Sequence, residues 1–398
     1  MTEASGRNDR NDRQDRNDRI REIVAVLPGM QDVSEVTREV ERWIARGDAV
    51  LAADLGIALA RADGGTTEVG HAADHWQCGH ILDHVLQRLA VTPGADHAAQ
   101  ALRLVRLAGG ATRKSARSMA SLLATGQRPE DLVVAFRGPA SEELRACLVH
   151  ELVLRDVAVD RIPGIAQWAT SPHWRHHPLG GLPLSRSSLE PGLRLLDHRG
   201  HDTRHRTGYG RSGVVAMPVP DTPVPSARDV TAEHPVTETA LDTAVTNWTE
   251  GSNGVVEARI FDLDEELSPF DVPAALPALG LACLDGIGPK TPLSVGLAHP
   301  ADVWQTLFRA ASAGGAYSSG GAGAYGRLHA WCSLAALAGC PDPWHATVDE
   351  IEARASECDW FEFEARTDWF HMVAWDIGVA ALSPDGRRLV VLAATDTD

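Results

Sequence analysis

Residues 375–396 read WDIGVAALSPDGRRLVVLAATD, inside the closing stretch from Asp368 to Asp398. Two apolar runs, Ile377 to Leu382 and Leu389 to Ala394, flank Ser383-Pro384-Asp385-Gly386. Proline pre-sets φ at the first central position of a turn, and glycine accepts the positive φ that side chains resist. This spacing predicts a β-hairpin. The runs are almost continuously apolar rather than alternating, so both faces of each strand must be covered. Two strands alone are marginal in water, so the hairpin belongs inside a larger sheet.

Working outward, Val255 to Leu263 alternates as a strand after an Asn253-Gly254 turn. Helical spacing follows near 272–284, 300–313, 323–339 and 346–357. Trp360 to Ala365 alternates again, with Phe361 and Phe363 on one side and Glu362 and Glu364 on the other. One strand, several helices and three more strands imply an α+β domain over residues 246–398 with an antiparallel or mixed sheet. Residues 171–245 change character: Pro, Gly, His and Arg dominate, and Met217 to Pro225 reads as a polyproline-type spacer, so a linker or loop region is expected there.

Residues 20–170 have only helical periodicity. Val33, Val36, Val40, Trp43 and Ile44 share a face, Leu51, Leu55 and Leu59 recur every four residues, and Leu144, Leu148 and Leu152 form a third stripe behind Ser141. A helical-repeat array and an irregular bundle both fit. Residues 1–19 carry the repeat RNDRNDRQDRNDR, which has no apolar surface to bury and is expected to be a disordered tail. The fold class is therefore multidomain: an all-α N-terminal region and a C-terminal α+β domain.

The chain has 398 residues, 44% hydrophobic and 23% charged, as a soluble globular protein does. No apolar run is long enough to span a bilayer, and the N-terminus has no apolar signal region. Six scattered cysteines without a CxxC suggest reduced thiols and a cytoplasmic location. The net charge of −17 is uneven: from residue 245 onward, 8 Arg and Lys face 22 Asp and Glu. That field repels nucleic acid and anionic membrane and favours a basic protein partner or serves solubility alone, the plainer reading.

Three segments, Asn247 to Arg259, Gly323 to Trp331 and Trp375 to Asp398, together resemble an uncharacterised family of high-GC, actinobacterial-type bacteria, known as a domain of unknown function. The resemblance covers about 150 residues at this end. It implies that residues 247–398 fold as one unit, and it carries no activity and no site residues.

Candidate chemistry is sparse. His71, His75 and Cys78 would share a helix face, a spacing that suits zinc, although no fourth ligand is evident. His198, His201 and His205 are interleaved with arginines that would repel a cation. Gly321, Gly323 and Gly326 match G-x-G-x-x-G, but the segment before them reads as helix, whereas a dinucleotide fingerprint needs a strand there. The plainer reading is a glycine loop that lets two helices approach closely. Asp376 inside an apolar run needs a partner, with Arg327 or Arg366 the candidates. Tyr325, Arg327, His329 and Asp376 form the enzyme alternative, and the His71 helix forms a metal-binding alternative. No cofactor is expected. The leading expectation is a cytoplasmic, non-catalytic binding or scaffold protein, immunity-like in its acidity.

Overall fold

The computed structural model describes residues 2–64, 76–112, 114–193, 195, 216–217, 223–287, 293–370 and 375–397. These divide into two compact units. The first takes residues up to Leu152 together with Val157–Trp174. The second takes Val153–Asp156, the described residues between 175 and 195, and those from 216 onward.

The first unit is built from helices: α1 (Thr2–Val26), α2 (Ser34–Ala45), α3 (Ala49–Gly64), α4 (Trp76–Val91), α5 (Ala95–Ala108), α6 (Ala116–Gly126), α7 (Val133–Arg137), α8 (Glu142–Leu154), α9 (Pro163–Trp168) and α10 (Pro172–Arg175). The apolar stripes fall inward as their spacing requires: Val36, Val40, Trp43 and Ile44 on α2, Leu55 and Leu59 on α3, and Leu144, Leu148 and Leu152 on α8 are buried. Ser141 accepts the Leu144 amide at 3.2 Å, and Ser115 accepts that of Ser118 at 3.1 Å, so both hydroxyls cap helix starts. Helix α3 touches α1, α2, α4 and α5, while α4 touches α2, α3, α5 and α6. In a repeat array each hairpin meets only its neighbours. This shared hub makes the unit an irregular bundle. The Arg-Asn-Asp repeat lies within helix α1 rather than in a disordered tail. Opposite charges three apart support such a polar helix, as the Arg21–Asp18 and Arg19–Glu22 pairs show at 3.0 and 2.6 Å.

The second unit holds helices α11 (Pro235–Leu241), α12 (Thr246–Gly251), α13 (Val272–Ala278), α14 (Pro300–Ala313), α15 (Ala322–Leu337) and α16 (Val348–Glu357). Its strands are β1 (Ala216–Met217), β2 (Ala227–Asp229), β3 (Val255–Leu263), β4 (Leu293–Ala298), β5 (Asp359–Ala365), β6 (Trp375–Leu382) and β7 (Arg388–Asp396). They form one antiparallel sheet in the order β1-β4-β5-β6-β7-β3-β2. The predicted hairpin is β6–β7 at the sheet's centre, paired from Trp375↔Asp396 to Leu382↔Leu389 and buried along most of its length.

Sheet alternation sorts the two faces. Phe261, Leu263, Phe361, Phe363, Ala380, Leu382, Leu389 and Val391 pack with Val272, Ala275 and Leu276 of α13. The opposite face meets α14 and α15: Thr306 of α14 donates to Glu362 at 3.4 Å. Glu362 and Glu364, on this face, are half-buried. Strand β4, with a glycine at its middle, gives no clear alternation in the sequence and is recognised only in the fold.

The stretch from 175 to 191, expected to be linker, packs into this unit. Ser187 and Ser188 hydroxyls donate to Glu352 of α16, the second at 3.0 Å, and Gln305 of α14 donates to the Pro191 carbonyl at 2.9 Å. The middle of the polyproline segment lies outside the described residues.

The turn shows why its residues are fixed. Gly386 N–H donates to the Ser383 carbonyl at 2.9 Å with φ +65°, and Asp385 accepts Ser383 Oγ at 2.6 Å and the Arg387 amide at 3.1 Å. These bonds, the hydroxyl's first, hold the Asp385 carboxyl below its usual range. A β-carbon on Gly386 would also meet Glu266 Cγ at 2.7 Å. Gly386→Ala is expected to cost about 1–2 kcal/mol, read as a lower denaturation midpoint with unchanged sheet content by circular dichroism.

Candidate functional site

The glycine loop joins α14 to α15. Gly314 ends α14 at φ +87°, and the chain folds back so that the Gly321 amide donates to the Ala311 carbonyl at 2.8 Å. A β-carbon on Gly326 would sit 2.6 Å from Ser312 Cβ, so the glycine lets α14 and α15 cross closely. The loop amides are directed to the protein itself. Ala316 N–H donates to Asp396 Oδ2 at 2.7 Å, Gly315 N–H to Ser318 Oγ at 2.8 Å, and Tyr317 N–H to Ser252 Oγ at 3.0 Å. Ser252 in turn donates to Asp396 Oδ1 at 3.0 Å. Asp396 is 1% exposed and is the anion that the loop holds. A helix rather than a strand precedes Gly321, Gly323 and Gly326.

Arg327 projects from α15 into a fully buried pocket. Its Nε donates to Glu190 Oε1 at 2.7 Å and its Nη2 to Oε2 at 3.0 Å. The remaining N–H groups reach the Pro183 and Ser185 carbonyls at 2.9 and 2.8 Å. Glu190 also accepts Trp331 Nε1 at 2.7 Å and the Ser187 amide at 3.0 Å. Both charged side chains have 0% exposure. Sequence reading found Arg327 but missed Glu190, 137 residues away in the Pro- and Gly-rich stretch.

Asp376 takes a different partner from the two expected. Thr395 Oγ1 donates to it at 2.7 Å, and it lies on the α13 face of the sheet with Ala380 and Leu382. Tyr325 is buried edge-on to His329, 5.9 Å between ring centroids, on α15 across the sheet. The sheet thus separates Asp376 from Tyr325, Arg327 and His329.

In the first unit Cys78 is buried on α4 with Ile81, Leu82 and Val85. His71 and His75 lie outside the described residues, as do His198, His201 and His205. Among the described residues no group of three or more His, Cys, Asp and Glu is placed to hold a metal ion. Burial lifts the thiols away from nucleophilic behaviour: Cys332 is pushed up to about 12 and Cys358 to about 11, and Cys147 and Cys283 rise further.

Two of the charged clefts among the described residues border the sheet's strands. One, of about 670 Å³, lies beside the β6–β7 turn, where Arg388 is neutralised by Asp262 at 2.8 Å. The other, of about 400 Å³, lies along β3 between α11, α12 and Trp369. Glu238 of α11 and Asp242, which caps that helix's C-terminal end, line it, and Glu250 of α12 is close enough to act on Asp242. Burial raises the Asp242 carboxyl above its ordinary range, and both neighbouring carboxylates add to the effect. Among the described residues no Arg, Lys or His lies within 4 Å of these three acids, whereas Glu257 on the same cleft is bonded to the Ala282 and Cys283 amides at 3.0 and 2.9 Å. Sequence reading counted this acidity without locating it.

A family model matches residues 34–398, across both units. The chain belongs to the family of unknown function DUF6183. No curated protein and no solved structure matches it. DUF6183 thus spans the helical bundle as well as the segments that carry the resemblance in the sequence.

Two measurements check this geometry. Glu190→Gln leaves the Arg327 charge buried without its counter-ion and is expected to cost about 3–5 kcal/mol, read from the urea unfolding transition followed by tryptophan fluorescence. In native protein at pH 8, a thiol reagent is expected to label Cys147, Cys283 and Cys332 far more slowly than after unfolding in guanidinium, which peptide mapping of the labelled sites resolves.

Proposed function

We propose that this protein is a non-catalytic binding protein of the cytoplasm, whose acidic C-terminal unit docks a basic protein partner. The observation that carries this reading is the cluster of Glu238, Asp242 and Glu250, which has no cation within ion-pair reach among the described residues. Three neighbouring carboxylates, one of them half-buried, gain most from a partner that brings positive charge. The placement of the other candidates supports the same reading. Arg327 is consumed by Glu190, Asp396 by the glycine loop, and Asp376 by Thr395.

None of the six cysteines is in a disulfide, and five of them are buried, as suits a reducing compartment. Among the described residues no helix is long and apolar enough to cross a membrane. The strong negative charge disfavours nucleic acid. A protein that neutralises a basic toxin, as immunity proteins do, is one form of this function.

Full-length protein immobilised in native lysate at about 50 mM salt is expected to retain a basic partner that about 500 mM salt releases. The triple substitution Glu238→Gln, Asp242→Asn and Glu250→Gln is expected to lose it. Recovery of no partner, or of one indifferent both to salt and to the triple substitution, would overturn the proposal.

A further inference from the structure

We infer that the edge of β3 from Val255 to Arg259, which no strand among the described residues covers, is a strand-addition site for an extended segment of a partner protein in which basic and apolar residues alternate. The inference rests on the reading of a basic protein partner and names how that partner is held.

The edge is set by how far β2 reaches. Strand β2 pairs only with Phe261, Asp262 and Leu263. Ile260 is completed by two further bonds: Val230 N–H donates to its carbonyl at 2.9 Å, and its own amide donates to Thr231 Oγ1 at 2.9 Å. The chain then turns away into α11. In an antiparallel strand, alternate residues direct both backbone groups to the same side. Ile260 points outward, so Ala258 and Val256 do as well, while Val255, Glu257 and Arg259 pair with β7. Five residues of edge, about 17 Å long, therefore present the N–H and C=O groups of Val256 and Ala258 to the cleft.

Proteins usually guard such an edge with proline, lysine or a bulge. Val255–Arg259 contains no proline or lysine, Val255 is 48% exposed, and Arg259 leans toward Asp229 and Glu257 at 3.8 and 3.7 Å. The cleft walls differ in chemistry. On the α15 side of the sheet stand Glu238, Asp242 and Thr249; on the α13 side stand Ala282 and the half-buried Trp369, with Glu257 and Arg259 of β3 paired to each other at 3.7 Å. A strand laid along the edge points successive side chains to opposite walls. One set meets carboxylates and the other meets Trp369 and Ala282 beside the mutually paired Glu257 and Arg259. That selects Arg or Lys alternating with Val, Ile or Leu, with main-chain bonds supplying affinity and the walls supplying specificity.

The probe is a fluorescein-labelled peptide of nine residues alternating arginine and valine, titrated into full-length protein and followed by anisotropy. Binding is expected, with slowed amide exchange at Val256 and Ala258. A Glu–Val peptide is expected not to bind. N-methylation of alternate peptide amides on the pairing edge is expected to weaken binding by about tenfold or more. Glu238→Gln with Asp242→Asn should weaken it by a similar factor, and Ala258→Pro should abolish it. Equal binding of the N-methylated peptide would overturn strand addition without altering the protein's fold. So would a dimer of the free protein that Ala258→Pro turns into monomer, since a second copy would then own the edge. If the Arg–Val peptide fails while full-length protein still captures a basic partner reversibly with salt, strand addition falls and the broader reading stands. If both fail, both fall.

Discussion

Removing a guanidinium and a carboxylate from water is unfavourable unless nearly every donor and acceptor on both is satisfied. Arg327 and Glu190 meet that condition only because the chain from 183 to 190 is threaded against α15, where it delivers two carbonyls and one carboxylate to the guanidinium. Trp331, one turn further along the helix, adds its indole N–H to the same carboxylate. A shift of one residue on either side would strand a charge. The pair therefore fixes the register of an otherwise irregular segment on the helix. That helix in turn sits close against α14 through Gly326 and Ser312, above the sheet. Much of the C-terminal unit follows from this one requirement.

The parts of this fold that were legible in the sequence are those governed by local periodicity. The central hairpin, strand β3 and helices α14, α15 and α16 declare themselves because burial must recur at the period of the backbone. What local pattern does not encode is pairing at a distance. Glu190 lies in a stretch rich in Pro and Gly, and its role depends on an arginine 137 residues later. Asp396 is followed by polar residues and looks solvated, yet it is the acceptor for a loop 80 residues earlier. Strand β4 carries Gly296 where an alternating pattern would need a side chain, and Leu297 remains 70% exposed. The glycine motif shows the reverse error: the spacing of a phosphate loop arises here from helix packing, with an internal carboxylate taking the position of a ligand.

Net charge alone treats all acids alike. The structure separates those that hold the fold together from those left available. Glu190, Glu257 and Asp396 are buried, and their carboxylates are held by hydrogen-bond donors of the unit. Glu238 and Asp242 line one cleft with Glu250 near Asp242, and none of the three has a cation within 4 Å among the described residues. The bonded acids serve folding, and the gathered ones give the C-terminal unit its most specific surface.

The position of β7 has a consequence for biosynthesis. This strand lies between β6 and β3, and its pairing of Val255 with Thr395 closes a loop of 140 residues. While a ribosome is still translating residues 264–387, β3 has no long partner on either side. The sheet's centre is filled by the last strand to emerge, so the unit completes its core only after nearly all of it has been made. Until then the edge of β3 that β7 will cover is unpaired along its length.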